Sequence, residues 1–579
     1  MLSSYLQKKL TTPTSNRFNP QLLFWFSLSL TFAAIYSILG LQDAFNGQYI
    51  VQDDARQHVF WMQRFIDPEL FPDDLITNYF QSVAPVGYTT AYRVAAILGI
   101  NPFLFNKLLP PIICAIAIAY CFGICMEILP VPAAAFIGSA LLNQSLWMKD
   151  DLISATPRAF VYPLFLAFLY YLLRRSLLGC LAALVLVGLF YPQYIFIAAG
   201  LLILRLVQWQ HRRVRLSPNR QDYLLCILGL LLSAALLCFY ALTPSDFDPV
   251  LSVAQAQALP EFSVKGRSYF FRDNPWEFFL LGERSGLLHV GLVRPATLTL
   301  GVLLPILCQF ATQFPLVRQI SPHIRLLSQI IIVSVGMFAA AHALLFKLHL
   351  PSRYTEHTSR IVLAIAAGIV LTVILDAAFH LGNRAGSKNI FKYWAGTQLL
   401  AIASTILIAA ALVFYPCFVD NFPLTKYKVG HFPALYQFLQ AQPKDSLIAS
   451  LAEEANNLPT FAQRPILVGR EYAIPYHWGY YRQFRERTIE LIQAQYSPDL
   501  ERVRNFIQQF GIDLWLLEES SLTPEYLAKQ EWLQPYQPAI REAQQNLAQG
   551  IIPALSGVVE DCSVFQNEGF IVLKTTCIL

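Results

Sequence analysis

The sequence predicts a polytopic α-helical membrane protein with about eleven transmembrane helices, followed by a C-terminal soluble α/β domain. Three observations predict this class. Of the 579 residues, 55% are hydrophobic and only 14% are charged, against about 25% charged in an ordinary soluble domain. Apolar runs close to the roughly 20 residues that a crossing needs recur between residues 22 and 418. Beyond residue 418 the pattern changes to short helical and strand-like runs.

The first apolar run covers residues 22–41, and no small-residue cleavage site follows it, so it reads as a retained helix and not a signal peptide. Further spans are expected at 102–128, 131–147, 158–173, 177–190, 193–207, 223–242, 292–314, 326–346, 361–380 and 397–418. The two around Tyr191, Pro192 and Gln193 are nearer about 15 residues than 20. They predict a hairpin that stops partway through the bilayer and lines a polar cavity, where broken helix is tolerated.

The net charge of +5 is small for this length, and the cations collect in short loops, which suits orientation in a bilayer and not nucleic-acid binding. With the N-terminus in the cytoplasm, Arg174 and Arg175, then Arg205, Arg212, Arg213, Arg215 and Arg220, then Arg318 and Arg325, then Arg384, Lys388 and Lys392 all fall inside. That agreement requires an odd number of spans. It divides the chain into a transmembrane domain, residues 1–418 with outer loops 42–91 and 243–290, and an extracytoplasmic domain, residues 419–579. The expected location is the cell (inner) membrane.

In the tail, residues 433–440, 485–495 and 499–510 read as helices, and residues 446–450, 466–469 and 512–517 as strands, with a closing hairpin around Asn567. Among the ten cysteines there is no CxxC pair or Cys/His cluster, so a structural zinc site is not expected. Cys562 and Cys577 lie in an oxidising compartment on this topology. Folding the hairpin about residues 566–569 sets Cys562 opposite Leu573, which argues against their pairing.

Chemistry concentrates in the outer loops. The first carries VQDDARQHVFWMQRFID, in which Asp53 and Asp54 are adjacent, Arg56 is close, and His58 shares a helical face with Asp54. Ionisable residues at the edge of hydrocarbon point to function, although Asp is also a favoured helix cap. Val59, Met62 and Ile66 recur at helical spacing and predict an amphipathic helix in the interface. The second loop, KDDLISATPRAF, adds Asp150, Asp151 and Arg158; a later one, KLHLPSRYTEHTSR, adds Lys347, Arg353, Tyr354, Glu356, His357 and Arg360.

Acids from two loops and cations from a third, all on one face, make a site for an anionic lipid-linked donor. Carboxylates serve as general base or, at Asp150 and Asp151, hold a divalent metal such as Mg or Mn; arginines clamp phosphate oxygens. The expected binding set is Arg56, His58, Arg158, Tyr191, Gln193, Lys347, Arg353, Tyr354 and His357. The blander reading is loop solvation, with arginines snorkelling at helix ends. The aromatic segment 267–286, RSYFFRDNPWEFFLLGERSG, reads as a lid, a lipid-gripping loop or a plain interfacial belt.

This order of parts resembles the glycosyltransferase C superfamily, which includes protein O-mannosyltransferases, aminoarabinose transferases and oligosaccharyltransferase catalytic subunits. The resemblance rests on QDDARQH in the first outer loop, KDDLISATPR in the second, PSRYTEH at a later helix entrance, and the outer C-terminal domain. It implies inverting transfer from a polyprenyl-phosphate sugar donor to a lipid, glycan or protein acceptor in the cell envelope. Asp53 or Asp54 would be the base, Asp53 preferred, and Arg353 the phosphate ligand. No WWDYG-type motif occurs in the tail, where HWGYY around Trp478 is only a distant echo. The competing classes are a transporter or flippase of an anionic or lipid-linked substrate, which calls for charge near mid-membrane and repeated halves, and a non-catalytic membrane protein.

Overall fold

The computed structural model describes residues 2–14, 19–210, 213–243, 245–264, 266–288, 294–384 and 391–579. Arg212 and Lys388 of the inner-loop clusters, and residues 292–293 at the start of the eighth expected span, lie outside the described residues. The chain is mainly helical. Among the described residues, six helices are long and apolar enough to cross a membrane: Pro20–Ala44, Pro102–Ile128, Arg220–Ala241, Pro322–Ala343, Pro351–Leu381 and Ala401–Phe418. Shorter apolar helices pack among them, and Leu178, Leu231 and Leu407 stay exposed on the outside of the bundle, the surface that a bilayer covers.

Four helices set the positions of the outer loops: α1 (Pro132–Trp147), α2 (Leu177–Phe190), α3 (Tyr194–Leu206) and α4 (Glu356–Arg384). Every residue of α1 is buried, as expected of a helix apolar on all sides. It crosses α4 where Gly138 meets Gly368: a Cβ added to Gly368 would lie 2.6 Å from the Gly138 Cα. Small residues let the two backbones touch. From that crossing it is about 17 Å along either helix to Lys149 and to Glu356, so the two loops that carry them meet at one level.

Helices α2 and α3 form the short hairpin that the sequence predicts, each about 20 Å long. Their far ends are tied by Arg175 and Arg205, both on one Asp222 oxygen at 3.0 and 3.2 Å. The expected α-helical span at 292–314 is different: Ala296–Leu303 winds as a 3₁₀ helix into the single α turn Leu304–Leu307. Pro305 lacks the N–H that an α-helix uses there. Gly301 also presses on α4, where an added Cβ would meet the Leu363 carbonyl at 2.8 Å.

The first outer loop also departs from expectation. In place of one interfacial helix there is a helical turn, Ala55–His58, and a 3₁₀ helix, Phe60–Phe65. Phe60, Trp61 and Met62 are buried within the protein, because three successive apolar side chains point to different sides of a tight helix and leave no single apolar face to lay on a membrane surface. A strand pair and a ring stack are among the contacts that fasten this loop to the tail. Strand β1 (Ile50–Gln52) pairs antiparallel with β2 (Tyr427–Val429), and the Tyr79 ring stacks on Tyr480 with centroids 3.8 Å apart. The aromatic segment docks partly on the tail as well, where Arg284 donates to the Tyr476 hydroxyl at 2.8 Å, while Phe270 is buried near Phe346 and Trp276 is exposed.

The tail contains helices Pro433–Gln440, Trp478–Gln495 and Leu500–Phe510 around a four-stranded sheet. In it β3 (Ile448–Ala449) lies parallel to β4 (Leu514–Glu518); β6 (Phe570–Lys574) is antiparallel to β4 and to β5 (Ser563–Asn567). Residues 466–469 give only a single bridge, Ile448 to Ile466. Cys562 and Cys577 form a disulfide, against the hairpin expectation. A bulge sets Ser563, not Cys562, opposite Leu573, and after Lys574 the chain turns into the short helix Thr575–Ile578, bringing Cys577 back over Cys562.

Candidate functional site

Asp53 and Asp54 stand where β1 ends and the turn Ala55–His58 begins. The side chain of Gln52 accepts from the backbone N–H of Asp54, at 2.8 Å, and of Ala55. Gln52 therefore caps the turn, and the Asp54 carboxylate is released for a different partner. That partner is Arg158, whose Nη2 donates to Asp54 Oδ2 and whose Nη1 lies 3.2 Å from Asp151 Oδ1. One guanidinium thus joins the acids of two outer loops.

The chain of charges continues inward. Lys149 Nζ lies 2.9 Å from Asp151 Oδ2 and also pairs with Glu356. Glu356, the first residue of α4, holds Arg353 at 3.0 Å and Arg360 at 3.5 Å. Asp54, Asp151 and Glu356 face Arg158, Arg353, Arg360 and Lys149; burial pulls the Lys149 ammonium down to about 7, so three arginines stand against three acids with a lysine that is only partly charged at neutral pH. Burial alone would push the Asp151 carboxyl up; Lys149 and Arg158 beside it reverse this and hold it well below the usual carboxylate range. Burial pushes the His58 imidazole down to about 4, with Asp54 raising it and Arg158 lowering it, so it is neutral at pH 7.

Beside this network His357 is fully buried, with ring centroids 5.1 Å from Tyr162, 5.8 Å from Tyr194 and 6.4 Å from Tyr191. Neither of its nitrogens has a hydrogen-bond partner among the described residues, nor does the hydroxyl of Tyr191 or Oε1 of Gln193. Leaving one buried polar group unpaired costs about 1–3 kcal/mol. The cluster offers the Tyr191 hydroxyl as a donor, Gln193 Oε1 as an acceptor and one of each on the neutral His357 ring, so it is suited to a ligand that supplies both acceptors and donors.

Asp53 turns the other way. It pairs with Arg56, and its Oδ2 is 3.9 Å from Lys428 Nζ. Arg56 also donates to Asn457 at 2.9 Å and approaches Glu471 at 3.5 Å; Arg267 meets Glu471 at 2.6 Å. These residues line a cavity of about 610 Å³ between the first outer loop and the tail.

Of the residues singled out from sequence, Asp54, Asp151, Arg158 and Arg353 fall in one network, with Tyr191, Gln193 and His357 as unpartnered polar groups. Asp53 and Arg56 line the neighbouring cavity. Asp150 points elsewhere, to Lys426 at 3.0 Å. The Tyr354 hydroxyl donates to the Leu348 carbonyl at 2.8 Å and so braces its own loop; Lys347 is exposed and joins none of these pairs. Sequence reasoning assigned no role to Lys149, although it stands in KDDLISATPRAF, and had no signal for Glu471, Asn457 or Lys428.

Among the described residues no group of three or more His, Cys, Asp or Glu could hold a metal ion. Asp150 and Asp151 are separately neutralised by Lys426, Lys149 and Arg158. A divalent ion needs carboxylates free to turn toward it, so this donor set does not fit one.

No protein-family model and no curated protein matches the chain. Solved structures do. The archaeal oligosaccharyltransferase AglB from Archaeoglobus fulgidus, solved with an inhibitory peptide and a dolichol-phosphate, superposes with TM-score 0.51 at 13% identity, covering 87% of this chain and 70% of that one. The arabinofuranosyltransferase AftD from Mycobacteria superposes with TM-score 0.50 at 12% identity, covering 89% of this chain and 37% of that one. At this identity the likeness concerns the fold alone: the chain shares the overall architecture of these two solved membrane-protein structures.

Proposed function

We propose that the protein is a membrane glycosyltransferase that moves a sugar from a polyprenyl-phosphate donor to an acceptor outside the membrane. The observation that carries this reading is the convergence of Asp54, Asp151, Arg158, Lys149, Glu356 and Arg353 beside the unpartnered His357, Tyr191 and Gln193. The guanidinium groups of Arg158 and Arg353 stabilise the donor phosphate and, more strongly, the phosphate that leaves with an added negative charge. Asp53 accepts the proton of the acceptor hydroxyl as general base. The acceptor oxygen then bonds to the anomeric carbon on the face opposite the departing phosphate, which inverts the configuration there. The apolar bundle takes the polyprenyl tail, and the tail domain, packed over the first loop, excludes water that would hydrolyse the donor.

Arg353 is the phosphate ligand in this scheme. A guanidinium fork spans two phosphate oxygens where an ammonium contacts one at a time, so Arg353→Lys is expected to weaken binding of polyprenyl phosphate about a hundredfold, the equivalent of about 2–3 kcal/mol. Titration of purified wild type and variant measures it. An unchanged dissociation constant returns Arg353 to the role of a snorkelling helix-end residue.

We also infer that residues 419–579 lie outside the cell membrane with the N-terminus in the cytoplasm, a reading supported by the loop cations and by the Cys562–Cys577 bond. Peptide mapping without reductant on protein purified from membranes is expected to recover the linked pair. The bond closes a 15-residue separation, so reduction should cost the tail about 3 kcal/mol. Two free thiols in protein alkylated during lysis would sink the topology.

A further inference from the structure

The cavity between the first outer loop and the tail is built for a particular chemistry. Its volume of about 610 Å³ lies within the range of about 300–1,000 Å³ typical of small-molecule sites. Its walls carry Asp53, Glu453, Glu454, Glu471 and Glu518 against Arg56, Arg267, Lys428 and Arg470, so cations are not in surplus. Arg56 is shared by Asp53 and Glu471, and Arg267 covers the other oxygen of Glu471. A nucleotide or other polyanion finds no surplus cation there, and a lipid chain finds almost no apolar wall.

Abundant hydrogen-bonding capacity remains. Carboxylates accept from hydroxyls, guanidinium and amide groups donate to them, and Asn457 stands between Arg56 and Glu454 at 2.9 and 3.0 Å, offering both functions. The apolar contribution comes from Phe432 and Phe570, packed edge to face with centroids 4.8 Å apart. Acceptors and donors of balanced charge beside an aromatic pair match a neutral polyhydroxylated ring, whose hydroxyls need both and whose C–H faces rest on aromatic carbon. Asp53 lines the same cavity.

We propose that this cavity binds the acceptor and that the acceptor is a glycan. The inference rests on the transferase reading above for its direction, since Asp53 then faces the hydroxyl that reacts. In the step itself the acceptor O–H bond breaks and its proton passes to Asp53. The acceptor oxygen forms the new bond to the sugar C1; the C1–O bond to phosphate breaks, and its electron pair leaves with polyprenyl phosphate.

The experiment uses the full-length protein in nanodiscs, with methyl glycosides of common hexoses and pentoses and their disaccharides as one set of probes. Peptides containing Ser, Thr or Asn form the second set, and polyprenyl phosphate the third. Binding is read by saturation-transfer NMR and calorimetry in wild type, Asn457→Ala, Lys428→Gln and Arg353→Lys. Lys428 is half exposed, so its replacement leaves the fold intact even if Asn457→Ala does not. At least one glycoside is expected to bind, about tenfold more weakly in Asn457→Ala and Lys428→Gln, while polyprenyl phosphate binding stays unchanged. Arg353→Lys should show the reverse. Peptide binding without glycoside binding, or glycoside binding indifferent to both cavity variants, overturns the proposal. Glycoside binding that tracks the cavity in a protein with no affinity for polyprenyl phosphate overturns the transferase reading and leaves the glycan site standing.

Discussion

Asp53→Asn is expected to lower transfer by about 10²–10⁴-fold, the contribution of a positioned general base, with polyprenyl phosphate bound as tightly as before. The replacement keeps the shape of the side chain and removes its charge. Asp53 is partly exposed at the wall of the cavity, so the fold survives. Asp54→Asn acts differently: Arg158 keeps Asp151 but loses its second acid, which lets the guanidinium swing and impairs donor positioning more than proton transfer. Release of polyprenyl phosphate from labelled donor, with an envelope glycan extract as acceptor, separates the two effects. Full activity in both Asn variants excludes either acid as the base.

Arg158→Ala carries the largest expected cost in stability. Asp151 is 1% exposed and keeps only Lys149, which Glu356 also claims. Removing one partner of a buried ion pair costs about 3–5 kcal/mol, because the remaining charge is left inside without compensation. A gain accompanies the loss. Asp54 and Asp151, no longer joined by a guanidinium, become two carboxylates facing one gap, the arrangement that a divalent ion bridges. Thermal unfolding of Arg158→Ala is expected at a lower temperature than wild type, with part of the difference restored by Mn²⁺, whereas wild type gains nothing from the metal. Equal stabilisation of both proteins by Mn²⁺ would mean that wild type already has a metal site, and the role assigned to Arg158 would fall.

Individual helices were legible because hydropathy is a one-dimensional signal: Pro102–Ile128 and Pro433–Gln440 have the bounds that pattern alone gives, although among the described residues six helices, and not eleven, are long and apolar enough to cross. The eighth expected span was misjudged because average hydropathy ignores Pro305 and the close packing of Gly301. At the site, the acids of QDDARQH and KDDLISATPR and the PSRYTEH cations could be named from composition and from their place between apolar runs. Their pairing could not. Lys149 meets Glu356 only because Gly138 and Gly368 set the crossing of two helices far apart in sequence. The tail's share of the cavity, Glu471 and Asn457, carries no spacing or repeat that marks it, and the disulfide depends on one bulge and one helical turn.

The pairing of β1 with β2 joins Ile50 to Val429, about 380 residues later in synthesis. At the usual rate of about 5–20 residues per second, the first outer loop waits on the order of 20 to 80 seconds for its partner strand. Until then Asp53 has no cavity wall, since Lys428, Asn457 and Glu471 have yet to cross. A nascent chain stalled or cut within the bundle can therefore hold the inner charge network, but it lacks the acceptor half. On the proposed topology and function, commitment to chemistry comes only once synthesis and translocation of the tail are complete, which ties quality control of this membrane protein to its last segment.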